Sequence, residues 1–347
     1  MAAEYRFSFG PWNIHEGADP FGPGVRPSLS FAEKLRLYKR LGFDGVQFHD
    51  DDAVPNLEQL SPAEIRRQAK EIKKMLDDEG LVAEFVAPRL WEDPRGIDGG
   101  YTANDPACRQ WAVERSLRAI DIAQELGTNL IVLWLAREGT YIRESKNPFE
   151  ALNRLLQAVN RLLEYDPTVT IAIEPKPNEP MDQAYLPTVG HALAFSTRTG
   201  DPARVGVLIE TAHVLLAGLD PSDEMAFALS MGKLWSVHLN DQNGLKFDED
   251  KAFGSANLRA AFNQVRVLEL GGYAATGRFV GLDVKAMRTQ KPEAATRHLA
   301  NSREIFLRLV EKVRTFPKDL EAQCVANRDY EALEMAIIRH LMGLPVA

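Results

Sequence analysis

The chain has 347 residues, 45% hydrophobic and 26% charged, with a formal net charge of −8. That composition suits one large or two ordinary globular domains with a sizeable core. The acidic balance argues against nucleic acid as the main partner, because phosphate binding needs a basic face. No apolar run is long enough to cross a bilayer. The opening MAAEYRFSFG has no basic segment followed by a long apolar run, so no secretory signal is read there. The two cysteines, Cys108 and Cys324, lie far apart in sequence, which points to a reducing compartment without a disulfide framework. The expectation is a cytoplasmic protein with neither membrane nor nucleic acid as partner.

Eight short apolar runs read as strands in chain order: residues 7–12, 45–49, 83–87, 130–134, 169–174, 206–210, 234–239 and 278–283. Amphipathic helix patterns lie between them. SPAEIRRQAKEIKKMLDDEG (61–80) opens on Ser-Pro and stops at Gly, and DPACRQWAVERSLRAIDIAQELG (105–127) and EAATRHLANSREIFLRLVEKVRT (293–315) read alike. Eight strand-then-helix units without a low-complexity linker predict a (β/α)8 TIM barrel over residues 1–315. A doubly wound open sheet is the competitor, and no glycine-rich strand–turn–helix fingerprint supports it. From about residue 316 a C-terminal helical extension is expected to run to 347, as a short connector plus one helix, RDYEALEMAIIRHLMG.

A barrel puts its chemistry where strands end at their C-terminal edge. Trp12, His49, Trp134, Glu174, Glu210, His238 and Asp283 all fall at or near predicted strand ends. IAIEPKPNEP ends on Glu174, followed by Lys176 and Glu179. VLIETAH supplies Glu210 and His213, and GLDVK supplies Asp283. SVHLNDQNGLKFDED brings His238, Asp241, Asp248 and Asp250 close together around an Asn-Gly turn. Any one of these carboxylates alone would be a surface or capping group, but several at the strand ends of one barrel need a cation to compensate them. Oxygen-rich sites with a minority of imidazole suit Mg²⁺, Mn²⁺ or Co²⁺ rather than a structural zinc, and Glu210 is placed to bridge two ions.

The stretches FHDDD, GGYTAND, EPKPNEP, LPTVGHALAF, MGKL, NDQNGLKFDED and FGSANLRAAF run in order through the chain. Together they resemble the xylose isomerases, in the shorter class without a long N-terminal extension, from Arg6 to about Thr315. The resemblance implies an aldose–ketose isomerase with a small-molecule sugar substrate and two divalent cations per subunit. Glu174, Glu210, Asp283 and the position of His238 would hold the first cation. Glu210, His213, Asp248 and Asp250 would hold the second. It further implies that Lys176 bonds the substrate carbonyl oxygen and that His49, oriented by Asp52, acts in ring opening. Trp12, Trp91 and Trp134 would form apolar walls. Phe21 would reach a neighbouring subunit's site from an extended loop, EGADPFGPGV, with little of its own to pack against; the protein would then be a homo-oligomer, dimer or tetramer. Elementary chemistry fits these roles, since cations and an ammonium stabilise charge developing on oxygens of adjacent carbons and apolar walls exclude water.

Three departures stand out. The family has an aspartate where His238 stands, which makes the first cation's surroundings softer and one charge less negative. Glu/Glu/His/Asp ligation resembles the ketose epimerases and rhamnose isomerases of the same barrel superfamily. Trp91 replaces a phenylalanine wall, with Arg89 added beside it in RLWEDP. The C-terminal arm is shorter by several tens of residues. These departures keep open an isomerase or epimerase of another sugar. A metal-dependent phosphodiesterase or nuclease is disfavoured by the acidic balance, and a catalytically inactive sugar-binding barrel by the presence of both Lys176 and His49.

Overall fold

The computed structural model describes residues 4–12 and 14–346. Eight parallel strands close into one barrel. They are β1 (Arg6–Phe9), β2 (Gly45–His49), β3 (Val82–Ala87), β4 (Leu130–Trp134), β5 (Thr170–Glu174), β6 (Val205–Glu210), β7 (Leu234–Leu239) and β8 (Phe279–Leu282). Each pairs with its sequence neighbour, and β8 closes onto β1 with Phe7 opposite Val280. The expected (β/α)8 barrel is therefore the fold. Strands covered on both faces have no polar side to alternate, so they appear in the sequence as near-continuous apolar runs.

Register sets the height of the functional side chains. Trp134 lies opposite Glu174, and Glu210 opposite His238, so these residues pair across neighbouring strands near their C-terminal ends. The β2–β3 ladder slips between Val46 and Phe48, so that Gln47 faces two residues, Glu84 and Phe85. Such a bulge breaks the inward–outward alternation. Both residues act inside the barrel, Phe85 on the cavity wall and Glu84 bonded to Ser8 and Ser236.

The helices begin and end on the signals the chain carries. Ser61 and Glu64 form a reciprocal capping box ahead of Pro62–Glu79, and Gly80 closes that helix in the left-handed region at φ 66°. Pro106–Leu126 is capped by Asp105 and packs beside the preceding helix. Its Arg115 reaches inward and clamps the fully buried Asp50 through Nε at 2.7 Å and Nη2 at 2.9 Å. That two-pronged pair fixes the short helix Asp50–Ala53 directly after His49.

Two expectations need correction here. The segment after Phe316 is not a connector plus one helix. Residues Lys318–Asn327 form a helix of their own before Tyr330–Leu341. Cys324 is the only residue buried in that first helix, so it carries no apolar stripe for a periodic reading to find. The third long helix starts at Arg297 rather than near Glu293, after a separate turn at Pro292–Ala294. Cys108 and Cys324 are both unpaired and buried. Among the described residues no helix is long and apolar enough to cross a membrane.

Candidate metal centre

The strand ends surround a cavity of about 280 Å³ at the barrel mouth. Its wall includes Trp12, His49, Trp91, Trp134, Glu174, Glu210, His213, His238, Asp248, Asp250 and Asp283. Phe21, Asp52 and Lys176 are the candidate residues that do not line it.

Two groups of ligand-type side chains meet there. Glu174, Glu210, His238 and Asp283 form one, and Glu210, His213 and Asp248 the other, with the ligand atoms of each group within 4.8 Å of one another. Glu210 belongs to both. In the first group the imidazole turns Nδ1 toward the carboxylates, at 3.1 Å from Glu174, 3.7 Å from Asp283 and 3.8 Å from Glu210. In the second, His213 Nε2 lies 3.3 Å from Glu210 and 3.0 Å from Asp248. Asp250 is on the same wall but outside both groups, bonded to Asn240 Nδ2 at 3.1 Å and to Lys285 Nζ at 3.1 Å. Asp241 is elsewhere in function. Its carboxylate accepts from the backbone of Gln242, Ala256 and Asn257 and holds the loop in shape.

The protonation pattern follows from this crowding. Burial disfavours the charged imidazole of His238, but Glu174, Glu210 and Asp283 outweigh it and hold its pKa well above the ordinary histidine range. Burial likewise opposes charge on His213, and Glu210 and Asp248 again raise it. Glu174 would be pushed up by burial, yet the His238 charge takes it down to about 2. Burial holds Glu210 well above the usual carboxylate range against the opposing His213 and His238, and Asp248 and Asp283 add to the rise. Asp250 is raised by burial and by Asp248 beside it. Asp248 is depressed despite burial, by Lys176 and His213.

These residues fit a cation. Two buried carboxylates, Glu174 and Glu210, and three half-buried ones, Asp248, Asp250 and Asp283, share one small cavity. Asp248 turns Oδ2 to both Lys176 and His213, while its Oδ1 is buried with no hydrogen-bond partner among the described residues. A buried carboxylate oxygen left in that state is costly unless a positive group meets it.

His49 stands across the cavity. Its Nδ1 lies 2.9 Å from Asp52 Oδ2, and its ring is packed between Trp12 at 4.3 Å and Trp91 at 5.2 Å. Trp91 in turn packs edge-on to Trp134 at 4.6 Å, which makes one continuous aromatic wall. Trp12 is three residues past the end of β1 and donates Nε1–H to Asp283 at 3.2 Å. Lys176 donates to Asp248 at 2.8 Å, lies 3.3 Å from Glu179, and sits 5.2 Å from the Trp134 ring.

The expectation that the loop of Phe21 has little of its own to pack against needs a correction. Phe21 is 79% exposed, but its loop is tied to its own chain. The ring packs edge-on to Phe247 at 5.2 Å, and Arg288 donates to Gly22 O at 3.1 Å and Pro23 O at 2.6 Å. An arginine so distant in sequence gives no local sign of this.

Four residues near the site were given no role in it by the sequence reading. Arg89 places Nη2 at 2.6 Å from His49 Nδ1 and pairs with Asp51 at 2.8 Å and Asp52 at 3.0 Å. It was visible only as a change in a familiar motif. Asn240 donates to both Glu210 and Asp250 and accepts from Ala212 N, so it ties two loops together. Lys285 lies two residues past Asp283, which was its one signal. Phe85 enters the cavity only because of the bulge.

A closed parallel barrel with a carboxylate and histidine cluster at the C-terminal ends of its strands is the architecture of a metal-assisted TIM barrel. This chain belongs to the xylose isomerase-like TIM barrel family, which it matches over residues 35–301. It is 36% identical over 325 residues to a xylose isomerase of Thermus thermophilus, covering 92% of this chain and 83% of that protein. The fold is shared with L-ribulose 3-epimerase at a TM-score of 0.67 and 18% identity, covering 94% of this chain and 98% of that one. It is also shared with the IOLI protein with a zinc atom bound, at a TM-score of 0.60 and 13% identity, covering 89% and 99%.

Proposed function

We propose that this protein is a metal-dependent aldose–ketose isomerase that interconverts D-xylose and D-xylulose, and also D-glucose and D-fructose. The observation that carries the reading is the pair of ligand groups sharing Glu210, in a chain 36% identical to a xylose isomerase over most of its length. Glu174, Glu210, His238 and Asp283 would hold one divalent cation, and Glu210, His213, Asp248 and Asp250 a second, with Mn²⁺, Co²⁺ and Mg²⁺ as the candidates. When bound, such cations polarise sugar oxygens on adjacent carbons and stabilise charge that develops there.

The protein's own groups do the rest. His49, oriented by Asp52, takes the proton of the anomeric hydroxyl and returns it to the ring oxygen, which opens the sugar. Lys176 donates an N–H to the carbonyl oxygen. Trp12, Trp91 and Trp134 exclude water, so the hydrogen leaving C2 with its electron pair reaches C1 without exchanging with solvent. The O2 hydroxyl proton moves to O1, and the aldose becomes the ketose with its atoms balanced. Phe21 would complete the apolar wall of a neighbouring subunit's cavity, in a homodimer or tetramer.

The test is product identification from D-xylose in D₂O with Mn²⁺, Co²⁺ or Mg²⁺. D-xylulose without carbon-bound deuterium is expected. A second reading, a ketose epimerase, is favoured by the imidazole at position 238. A C3-epimerised ketose, with no ketose formed from any aldose, would replace the first reading with the second.

A further inference from the structure

Two side chains meet the same ring nitrogen of His49. Asp52 Oδ2 lies 2.9 Å from Nδ1, and Arg89 Nη2 lies 2.6 Å from it. Their demands are opposite. An ionised carboxylate only accepts, so Asp52 calls for a proton on Nδ1. A guanidinium has five N–H donors, no acceptor and a permanent charge, so Arg89 calls for a bare Nδ1. One nitrogen cannot meet both.

The surrounding bonds decide between them. Asp52 does not need the ring proton. Its Oδ2 accepts the backbone N–H of His49 at 3.0 Å, and its Oδ1 accepts from Arg89 Nη2 at 3.0 Å. Arg89 cannot turn aside. Its Nε donates to Asp51 at 2.8 Å, its Nη1 to Glu92 at 3.0 Å, and its backbone N–H to the fully buried Asp50 at 3.1 Å. Asp50 is itself clamped by Arg115. A proton on Nδ1 would set two N–H donors against each other at 2.6 Å. A bare Nδ1 accepts a charge-assisted hydrogen bond instead. Turning the ring over would put a carbon against both partners and lose both contacts.

We propose that Arg89, rather than Asp52, sets the tautomer of His49: the guanidinium holds Nδ1 bare, the ring proton sits on Nε2, and the imidazole meets a bound sugar as a donor. Arg89 is a positioning residue that acts through His49, and Asp52 places the backbone of that histidine. The consequence for ring opening rests on the isomerase reading. The exchange begins with the Nε2 proton passing to the sugar ring oxygen as the bond from that oxygen to C1 breaks and leaves its electron pair there. The anomeric hydroxyl proton then takes the vacant place on Nε2, and C1 is left as a carbonyl.

The experiment is a long-range proton–nitrogen-15 spectrum of full-length protein labelled on histidine. It is recorded in EDTA without sugar at about pH 8.5, two units above the ordinary histidine value, and His49 is assigned by the signals missing from His49→Gln. Which ring nitrogen holds the proton follows from the bond made by the other. Wild type should carry its proton on Nε2, with Nδ1 bare. Arg89→Met should move the proton to Nδ1, where Asp52 is left as the partner; a purely structural role for Arg89 would not move it. Asp52→Asn should leave the proton on Nε2, and decides the matter if Arg89→Met does not fold. A proton on Nδ1 in wild type, an unchanged tautomer in folded Arg89→Met, or a moved proton in Asp52→Asn overturns the proposal. None of these results bears on product identification from D-xylose, so the isomerase reading stands or falls separately.

Discussion

Glu210→Gln separates the two states of the cavity most sharply, because Glu210 belongs to both ligand groups. Glutamine keeps the shape and the hydrogen bond from Asn240 while removing one negative charge. Ligand atoms within each group lie no more than 4.8 Å apart. Like charges at such a separation repel by roughly 3.5 kcal/mol at an effective dielectric of about 20. Glu210 meets Glu174, Asp283 and Asp248 on one side of the ledger and His213 and His238 on the other. The two attractions, at 3.3 and 3.8 Å, come to roughly 9 kcal/mol against about 10 kcal/mol for the three repulsions, so the substitution relieves about 1 kcal/mol in metal-stripped protein. Unfolding entropy for a chain of this length turns that into a melting temperature about 1–2 °C higher. With a cation present the sign reverses. Losing one partner of a buried charge costs about 3–5 kcal/mol, which is roughly two to three and a half powers of ten in Kd. Wild type at a hundredfold excess of Mn²⁺ over Kd should gain about 2.7 kcal/mol, and the variant almost none. Scanning calorimetry with EDTA and with Mn²⁺ reads both effects. A lower melting temperature in EDTA together with an undiminished rise on Mn²⁺ would refute the reasoning.

His238→Asp should move metal preference toward Mg²⁺, because it replaces nitrogen by the hard oxygen that Mg²⁺ prefers; an unchanged ranking of Mg²⁺, Mn²⁺ and Co²⁺ in D-xylose assays would exclude His238 as a ligand. The raised pKa values of His213 and His238 mean that their protons must leave when a cation arrives. Calorimetric titration of Mn²⁺ near pH 7 in buffers of different ionisation enthalpy should show proton release, and buffer-independent heats would count against both ligands. The same shifts fix a stability profile without metal. The contribution of His238 is complete below the unfolded value of about 6.5 and is lost as pH rises through its higher folded value. Glu174, folded at about 2, contributes above its ordinary value of 4.5 and loses this as pH falls toward 2; urea melts of EDTA-treated protein across pH check both limbs. Lys176→Met should abolish turnover while the folded protein still binds Mn²⁺, and retained turnover would remove Lys176 from the reaction.

Strands were the most legible part of the chain, for a physical reason. A barrel strand buried on both faces is an apolar run ended by turn residues, and β2, β4 and β7 fall on the expected residues throughout. The first strand was read three residues too long, to Trp12. It stops at Phe9, because Gly10 and Pro11 follow and proline has no N–H to give a ladder. The strand-end rule then found most of the cavity wall, since chemistry at the mouth must come from those positions. Relations across the barrel were not legible. That Lys285 holds Asp250, and that Arg89 touches His49, depends on how neighbouring strand ends are staggered. The bulge at Gln47 is also silent, because VAEFVA reads the same whether or not the ladder slips.

Asp248 shows how these contacts bear on one another. Its Oδ2 accepts from Lys176 at 2.8 Å and faces His213 Nε2 at 3.0 Å, while Oδ1 has no partner among the described residues. One carboxylate oxygen thus holds the lysine assigned to the substrate and the imidazole assigned to the cation. A cation drawn by Glu210, His213 and Asp248 needs the unprotonated Nε2 of His213 and a share of the charge on Asp248. Both demands weaken the grip of Asp248 on the Lys176 ammonium, which is otherwise strong because burial leaves it no water to turn to. On the proposed roles, Lys176 would be bound to Asp248 most tightly when no cation competes, and would be most available to a sugar oxygen when one does. Readiness of the lysine would then follow occupancy of the cluster through a single shared carboxylate, with no movement of the barrel required.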